Sequence, residues 1–251
     1  MIGSMFKVCF RAIFAMSFCV FAACGGNEAA QKSGDTAAVS GETAADNKTN
    51  EKKSAEGLSA KADDNADGFV NGHGYVELGL PSGTKWATRN VGASAAEECG
   101  EYFAWGETVG KETYAAENSK TLGNSDFDRE IGGDKDVDCA AATWGGTWGL
   151  PTVAQVKELL DNCNVAWSEH NGVKGIKATS KKNGRWIFLP AAGTKGSVGN
   201  ANFVGVLGHY WCGTPYSDNS FSAYNLYFKE EETQVNWDLR RYGNSVRPVT
   251  K

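Results

Sequence analysis

Basic residues are not in excess here: 25 Lys and Arg face 30 Asp and Glu among 251 residues, a formal net charge of −5. That balance argues against a nucleic-acid partner, because phosphate binding needs a basic face. The body of the chain holds no apolar run long enough to span a bilayer. Histidine is scarce: His73, His170 and His209 are scattered, each beside Gly or Asn, and read as turn residues. There is no Gly-x-Ser-x-Gly elbow and no His-Glu-x-x-His pair. Nor is there a CxxC or a Cys/His spacing suited to zinc. Enzyme chemistry is therefore poorly supported. Glu107 in "AWGET" and Asp161 are the candidate carboxylate pair, with Glu107 bonding its own loop as the alternative.

Aromatic residues are plentiful: Trp 8, Tyr 8 and Phe 12, in a chain that is 41% hydrophobic, enough for a substantial core. Gly 31 signals many turns. The length suits one domain with tails, or two small domains. At the start, Lys7 and Arg11 flank an apolar run from Ala12 to Ala23, broken by Ser17. It is too short for a comfortable spanning helix and fits a secretory signal over residues 1–23. Phe21-Ala22-Ala23-Cys24 resembles a bacterial lipobox. The resemblance implies cleavage before Cys24, a diacylated sulfur and an acylated new amine. Each buried CH₂ then contributes roughly 0.8 kcal/mol, so anchoring is stable. The alternatives are a short membrane anchor or an ordinary cleaved signal with Cys24 free.

Residues 24–71 read as a disordered tether, since Val39 and Leu58 stand nearly alone among polar residues. Such a linker spans roughly 35–40 Å root-mean-square. Within it, Asp35-Thr36-Ala37 resembles the O-glycosylation site of Bacteroidetes envelope proteins.

From Gly74 the texture changes. Val76, Leu78 and Leu80 alternate with Tyr75, Glu77 and Gly79, a strand pattern. "RWIFLP" (185–190) is apolar on both faces and predicts a central strand. Asn171-Gly172 and Asn183-Gly184 are hairpin signals. Tyr224, Leu226 and Phe228 form one alternating run. Val235, Trp237 and Leu239 form another, across the acidic turn Glu230-Glu231-Glu232. "NSVRPV" predicts a last strand. One helix stands out: Thr152 and Gln155 make a capping box, and Val153, Val156, Leu159, Leu160 and Cys163 share a face. A shorter helix is expected over 137–143. Few helices among many antiparallel strands make an α+β domain.

The motifs "GYVELGLPSGTKWATRNVGA", "EYFAWGET", "TWGGTWGLPTVAQVKELLDNC", "NGRWIFLPAAG", "HYWCGTP" and "NSVRPV" follow one another in order. In this the chain resembles the Fibrobacter succinogenes major paralogous domain, a family common in secreted and lipidated proteins of Bacteroidetes and Fibrobacteres. The match covers residues 72–251. It implies a compact, loop-rich fold related to C-type-lectin-like and formylglycine-generating-enzyme domains, with its two ends close together. The paired cysteines of formylglycine-generating enzymes are not evident. Four cysteines remain after Cys24 and allow three pairings. The family does not call for Cys99 or Cys139, so Cys99–Cys139 is the expected bridge and Cys163–Cys212 the second. Buried free thiols are the alternative.

Calcium has two weak candidate sites. Asp63, Asn65, Asp67 and Gly68 match positions one, three, five and six of an EF-hand-type loop. Position twelve falls on Gly74, where a carboxylate is required, so a polar turn is expected instead. Asp126, Asp128, Glu130, Asp134, Asp136 and Asp138 form a second acidic stretch, read as a solvated loop. The C-type-lectin sugar motifs, Glu-Pro-Asn or Gln-Pro-Asp with Trp-Asn-Asp, are missing; Asn236-Trp237-Asp238 has the letters in another order. Stacking of a glycan on aromatic rings remains. Its candidates are Trp105, Tyr210, Trp211, Tyr216 and Trp237, with Glu107 as a polar neighbour, although most of these rings are expected in the core. Gly193–Gly208 and Gly106–Lys135 are the candidate contact loops. The expectation is a non-catalytic binding module for a glycan or a protein, lipid-anchored at the outer membrane of the envelope, on its periplasmic or its surface face. Its rivals are an enzyme acting on envelope polymers and a purely structural component.

Overall fold

The structure is a computed structural model and describes residues 65–251. The signal segment 1–23, Cys24, Asp35-Thr36-Ala37, Asp63 and most of the tether lie outside the described residues.

Asn-Gly pairs set the first registers. Strand β1 (Gly68–Val70) turns through Asn71 and Gly72, at φ 48° and 79°, into β2 (His73–Val76). Positive φ at both central residues is the type I′ requirement, which Asn-Gly meets at least cost. The folded body therefore begins inside the segment read as tether up to residue 71. A three-residue Gly-Phe-Val strand is too short to stand out from the polar sequence before it. Strand β3 (Lys85–Ala87) pairs with β2. Between them Val76, Leu78 and Leu80 are buried and Glu77 is exposed, so the expected alternation holds although ladder pairing stops at Val76.

A long irregular stretch, with single 3₁₀ turns at Ala116–Asn118 and Ser125–Phe127, leads to helix α1 (Cys139–Trp144). Asp138 caps α1, accepting the Ala140 and Ala141 N–H groups at 2.8 and 3.2 Å. Helix α2 (Val153–Asn162) starts at the expected capping box: Thr152 Oγ1 takes the Gln155 N–H at 3.2 Å, and Gln155 Oε1 takes the Thr152 N–H at 2.8 Å. Val156 and Leu159 are buried on its inner face.

Strands β4 (Cys163–His170), β5 (Val173–Ser180) and β6 (Trp186–Pro190) form one antiparallel sheet. The β4–β5 turn is Asn171-Gly172, at φ 49° and 81°. Strand β6 is buried on both faces as its composition implies, yet among the named strands it lies at the edge of its sheet, not the centre. Two short strands, β7 (Thr194–Lys195) and β8 (Ala201–Asn202), pair with each other. Strands β9 (Leu207–Pro215), β10 (Ser222–Lys229) and β11 (Glu232–Leu239) form the sheet order β11-β10-β9. Finally β12 (Val249–Thr250) joins β3, giving the order β1-β2-β3-β12. The two ends of the body thus meet in one sheet.

The architecture is α+β: antiparallel sheets with one main helix. One core cluster lies between α2 and the sheets, around Leu159, Ile187, Leu226 and Phe228. A second gathers Trp105, Trp144, Trp148 and Trp211. The "NSVRPV" segment runs buried through the molecule, tied by single bridges at Asn244 and Ser245 before the short β12.

Candidate functional site

Four of the six expected ligand-contact residues are internal. Trp105 is fully buried, donates Nε1–H to the Cys212 carbonyl at 2.8 Å, and carries the Arg240 guanidinium over its ring at 4.5 Å. Trp211 donates to the Phe103 carbonyl at 2.7 Å, and Tyr210 donates to the Pro190 carbonyl at 2.7 Å. Buried aromatic donors need such partners, and these rings have theirs. Glu107 is sealed in its own loop: Lys111 Nζ lies 2.9 Å from its carboxylate, and the Lys120 N–H donates at 2.9 Å. Asp161 is exposed on α2, so it does not form a working pair with the enclosed Glu107.

The first acidic candidate is engaged by a cation already in the chain. Arg185 reaches Asp67 through Nη2 at 2.7 Å and Nε at 3.0 Å, and the Glu77 N–H donates to the same carboxylate at 2.8 Å. The Asn65 carbonyl accepts from Arg185 at 2.9 Å. In the second stretch, Asp128 holds Arg240 at 2.6 Å, Asp134 holds Arg129 at 2.7 Å and Glu130 accepts from Thr214 at 2.8 Å. Asp136 and Asp126 are exposed. Among the described residues no three His, Cys, Asp or Glu side chains gather as a metal-binding group.

The expected disulfides are not formed. Cys99, Cys139, Cys163 and Cys212 are all free thiols. Cys139 packs with the tryptophan cluster, whereas Cys99 lies beside Tyr102 and Ala192 in another. Cys163 and Cys212 share the main core but remain separate side chains in apolar packing. Burial pushes the Cys163 thiol up to about 11 and raises those of Cys139 and Cys212 as well. Thiols so held are poor nucleophiles.

Two surface features stand out. The first is an aromatic ledge. Tyr224 on β10 pairs in register with Trp237 on β11. Tyr216, just past β9, lies 5.2 Å from Tyr224 and 5.3 Å from Trp237, ring centre to ring centre. Trp237 is 49% exposed, and Tyr216 is partly so. Alternation marks Trp237 as a strand residue, but nothing in the sequence distinguishes its half-open position from the buried tryptophans.

The second feature lies on the opposite face of the same sheet. His209 on β9 stands in a strand, not a turn; His73 and His170 are likewise strand residues, opening β2 and closing β4. His209 Nδ1 is 3.6 Å from Asp238 Oδ2 and 3.5 Å from Asn225 Nδ2. Burial drops the imidazole to about 4 and lifts the Asp238 carboxyl to about 6, the latter restrained by Asn244 and the Leu239 N–H. A neutral ring beside a carboxylate at that distance is not an ion pair. The Asn225 side chain is fully buried. Asn244 Nδ2 holds Asp238 Oδ2 at 3.3 Å, and Thr194 Oγ1 holds Asn244 Oδ1 at 2.6 Å. Sequence reading missed this niche because its members are far apart along the chain and His209 follows a Gly.

The loop Gly193–Gly208 exposes Val198, Phe203, Val204 and Val206. Phe203 sits at φ 63°, an unusual conformation for a bulky residue. The 106–135 insertion is held down instead, by Arg240.

Fold and surface together define an α+β domain with an open aromatic ledge on one face of a sheet and a polar niche on the other. No protein-family model matches the chain, and no curated protein or solved structure does either.

Proposed function

We propose that this chain is a lipid-anchored, non-catalytic binding module of the cell envelope whose ligand is a glycan. In this reading Cys24 carries the acyl chains, the residues between it and the described body form the tether, and the body is a C-type-lectin-like domain of the kind its motifs resemble. The observation that carries it is the Tyr216–Trp237 ledge. A half-open tryptophan with a tyrosine tilted beside it, on a sheet, offers the apolar ring face that a sugar packs on. The enclosed state of Glu107 removes the best sequence candidate for hydrolysis and favours binding over catalysis. A glycan array probed with the full chain tests the reading. Wild type is expected to bind a defined subset, and Trp237→Ala to lose about five- to tenfold in affinity for it. An array blank for both, or signals untouched by Trp237→Ala, contradicts it. Mass spectrometry of material extracted from membranes tests the anchor: a mature N-terminus at a triacylated Cys24 is expected, and an unmodified start contradicts it.

A second reading has its own observation. The exposed apolar tip of Phe203, Val204 and Val206, with strain at Phe203, favours a protein partner at that loop. Phe203→Ser abolishing a specific protein cross-link, while glycan signals persist, decides for it.

A further inference from the structure

The polar niche has a chemistry that the ledge lacks. His209, Asn225 and Asp238 come from three adjacent strands and project from one face. In register, Tyr227 stands opposite His209 and Ala223 opposite Asp238, and Asn225 lies between them on the same side of β10. Asn225 has no exposed surface, yet its Oδ1 makes no hydrogen bond within the protein. Buried amide oxygens are nearly always partnered, so this one asks for an explanation.

The oxygen and nitrogen of an amide exchange places by a half-turn, and which one faces the ring follows from its partners. With Oδ1 turned toward His209, three acceptors converge: an imidazole nitrogen, a carboxylate oxygen and an amide oxygen. When the neutral ring carries its proton on Nε2 and the carboxyl is ionised, no hydrogen-bond donor lies among them. A cation resolves that arrangement. Two donors each about 2.1 Å from one ion, and 3.6 Å apart as here, subtend roughly 120° at it, within reach of tetrahedral coordination.

Outer contacts fix the donors as metal sites require. Asp238 Oδ1 accepts the Leu239 N–H at 2.8 Å, which leaves Oδ2 for the niche. Asn244 steadies Oδ2, and Thr194 steadies Asn244. The Tyr227 ring packs on His209 at 5.1 Å. The His209 and Asp238 side chains are 16% and 17% exposed, so an ion has a way in and open positions remain. The mixed nitrogen and oxygen set suits a borderline transition ion better than calcium, which takes six to eight oxygens.

We propose that His209 Nδ1, Asp238 Oδ2 and Asn225 Oδ1 form a site for a divalent transition cation of the zinc and cobalt class, with its outward positions left to water or an external ligand. The test is a titration of the chelator-stripped full chain with cobalt chloride, followed by visible absorption. Saturable one-to-one binding is expected, with nitrogen- and oxygen-ligand bands and no sulfur-to-cobalt charge-transfer band. His209→Gln should abolish it, and Asn244→Ala should weaken it about tenfold through loss of outer support. Asn225→Asp, which adds charge in the same shape, should bind about tenfold more tightly. Absence of saturable binding, binding unchanged in His209→Gln, or a sulfur band reporting a cysteine site would each overturn the proposal. Should His209→Gln prove unfolded by circular dichroism, Asn225→Asp decides: tighter binding supports the site, unchanged affinity overturns it.

Discussion

Buried polar side chains do much of the shaping at the scale of single residues. Arg240 is fully buried and donates to the Ser222, Thr121 and Asn124 carbonyls and to Asp128, while its plane covers Trp105. Lysine has neither the fork nor the flat face for this. Asp138 accepts N–H groups from Gly133, Ala140, Ala141 and Leu150, so it joins the acidic stretch to α1 and to the segment before α2. A residue read as part of a solvated loop is therefore a buried structural acceptor. Asp238 and His209 make opposite contributions to stability with pH. The Asp238 carboxyl is raised from 3.8 to about 6, so the folded state holds its proton more tightly. Its contribution is fully present below pH 3.8 and is lost as pH rises through 6. His209 is lowered from 6.5 to about 4, so its contribution is present above 6.5 and lost as pH falls through 4. Shifts of this size correspond to about 3 kcal/mol each, and they largely cancel in the wild type. Asp238→Asn removes one side of the balance. Urea unfolding of that variant is expected to show stability falling more steeply than wild type between pH 6.5 and 4. A profile parallel to wild type contradicts the opposed pair.

The elements show which signals were legible in sequence. Helix α2 is the clearest, because its capping box and apolar face are local and redundant. Thr152→Ala is expected to cost about 1 kcal/mol, read as a lower urea midpoint with unchanged slope. No change in midpoint would mean that the cap is not supporting the helix. Asn171-Gly172 was equally plain, since only positive φ at both positions closes so tight a hairpin. The β10–β11 hairpin was legible from alternation, but the state of its outer edge was not. Arg240 N–H pairs with the Phe221 carbonyl, which directs the Trp237 and Leu239 N–H groups away from β10. The side chains of Asn236 and Asp238 take those two donors at 2.9 and 2.8 Å. An edge strand of eight residues is thus partly closed by its own polar side chains, which guards it against pairing with another chain. Strand β1 was hidden because three residues are too few to show alternation, and the edge position of β6 because its apolar composition reports burial on both faces, not its ladder neighbours. Three of the five aromatic candidates are buried, and sequence could not single them out: composition says that a ring is apolar, and only packing says which rings stay outside.

For the molecule as a whole, the sheet β11-β10-β9 is the organising element. One face holds α2 and ends in the aromatic ledge; the other carries the polar niche and borders the tryptophan cluster. Binding on such a platform needs little rearrangement, because strands hold the rings in place before a ligand arrives. Trp237 makes the central claim open to direct reading. It is the one tryptophan classed as exposed among the described residues, which include every tryptophan of the chain. The most direct measurement is a fluorescence titration of the full chain with an oligosaccharide drawn from the array. A saturable change in emission in wild type, lost in Trp237→Phe, is what glycan stacking on the ledge predicts. An emission change that persists in Trp237→Phe, or binding by another method with wild-type emission unaltered, would contradict it.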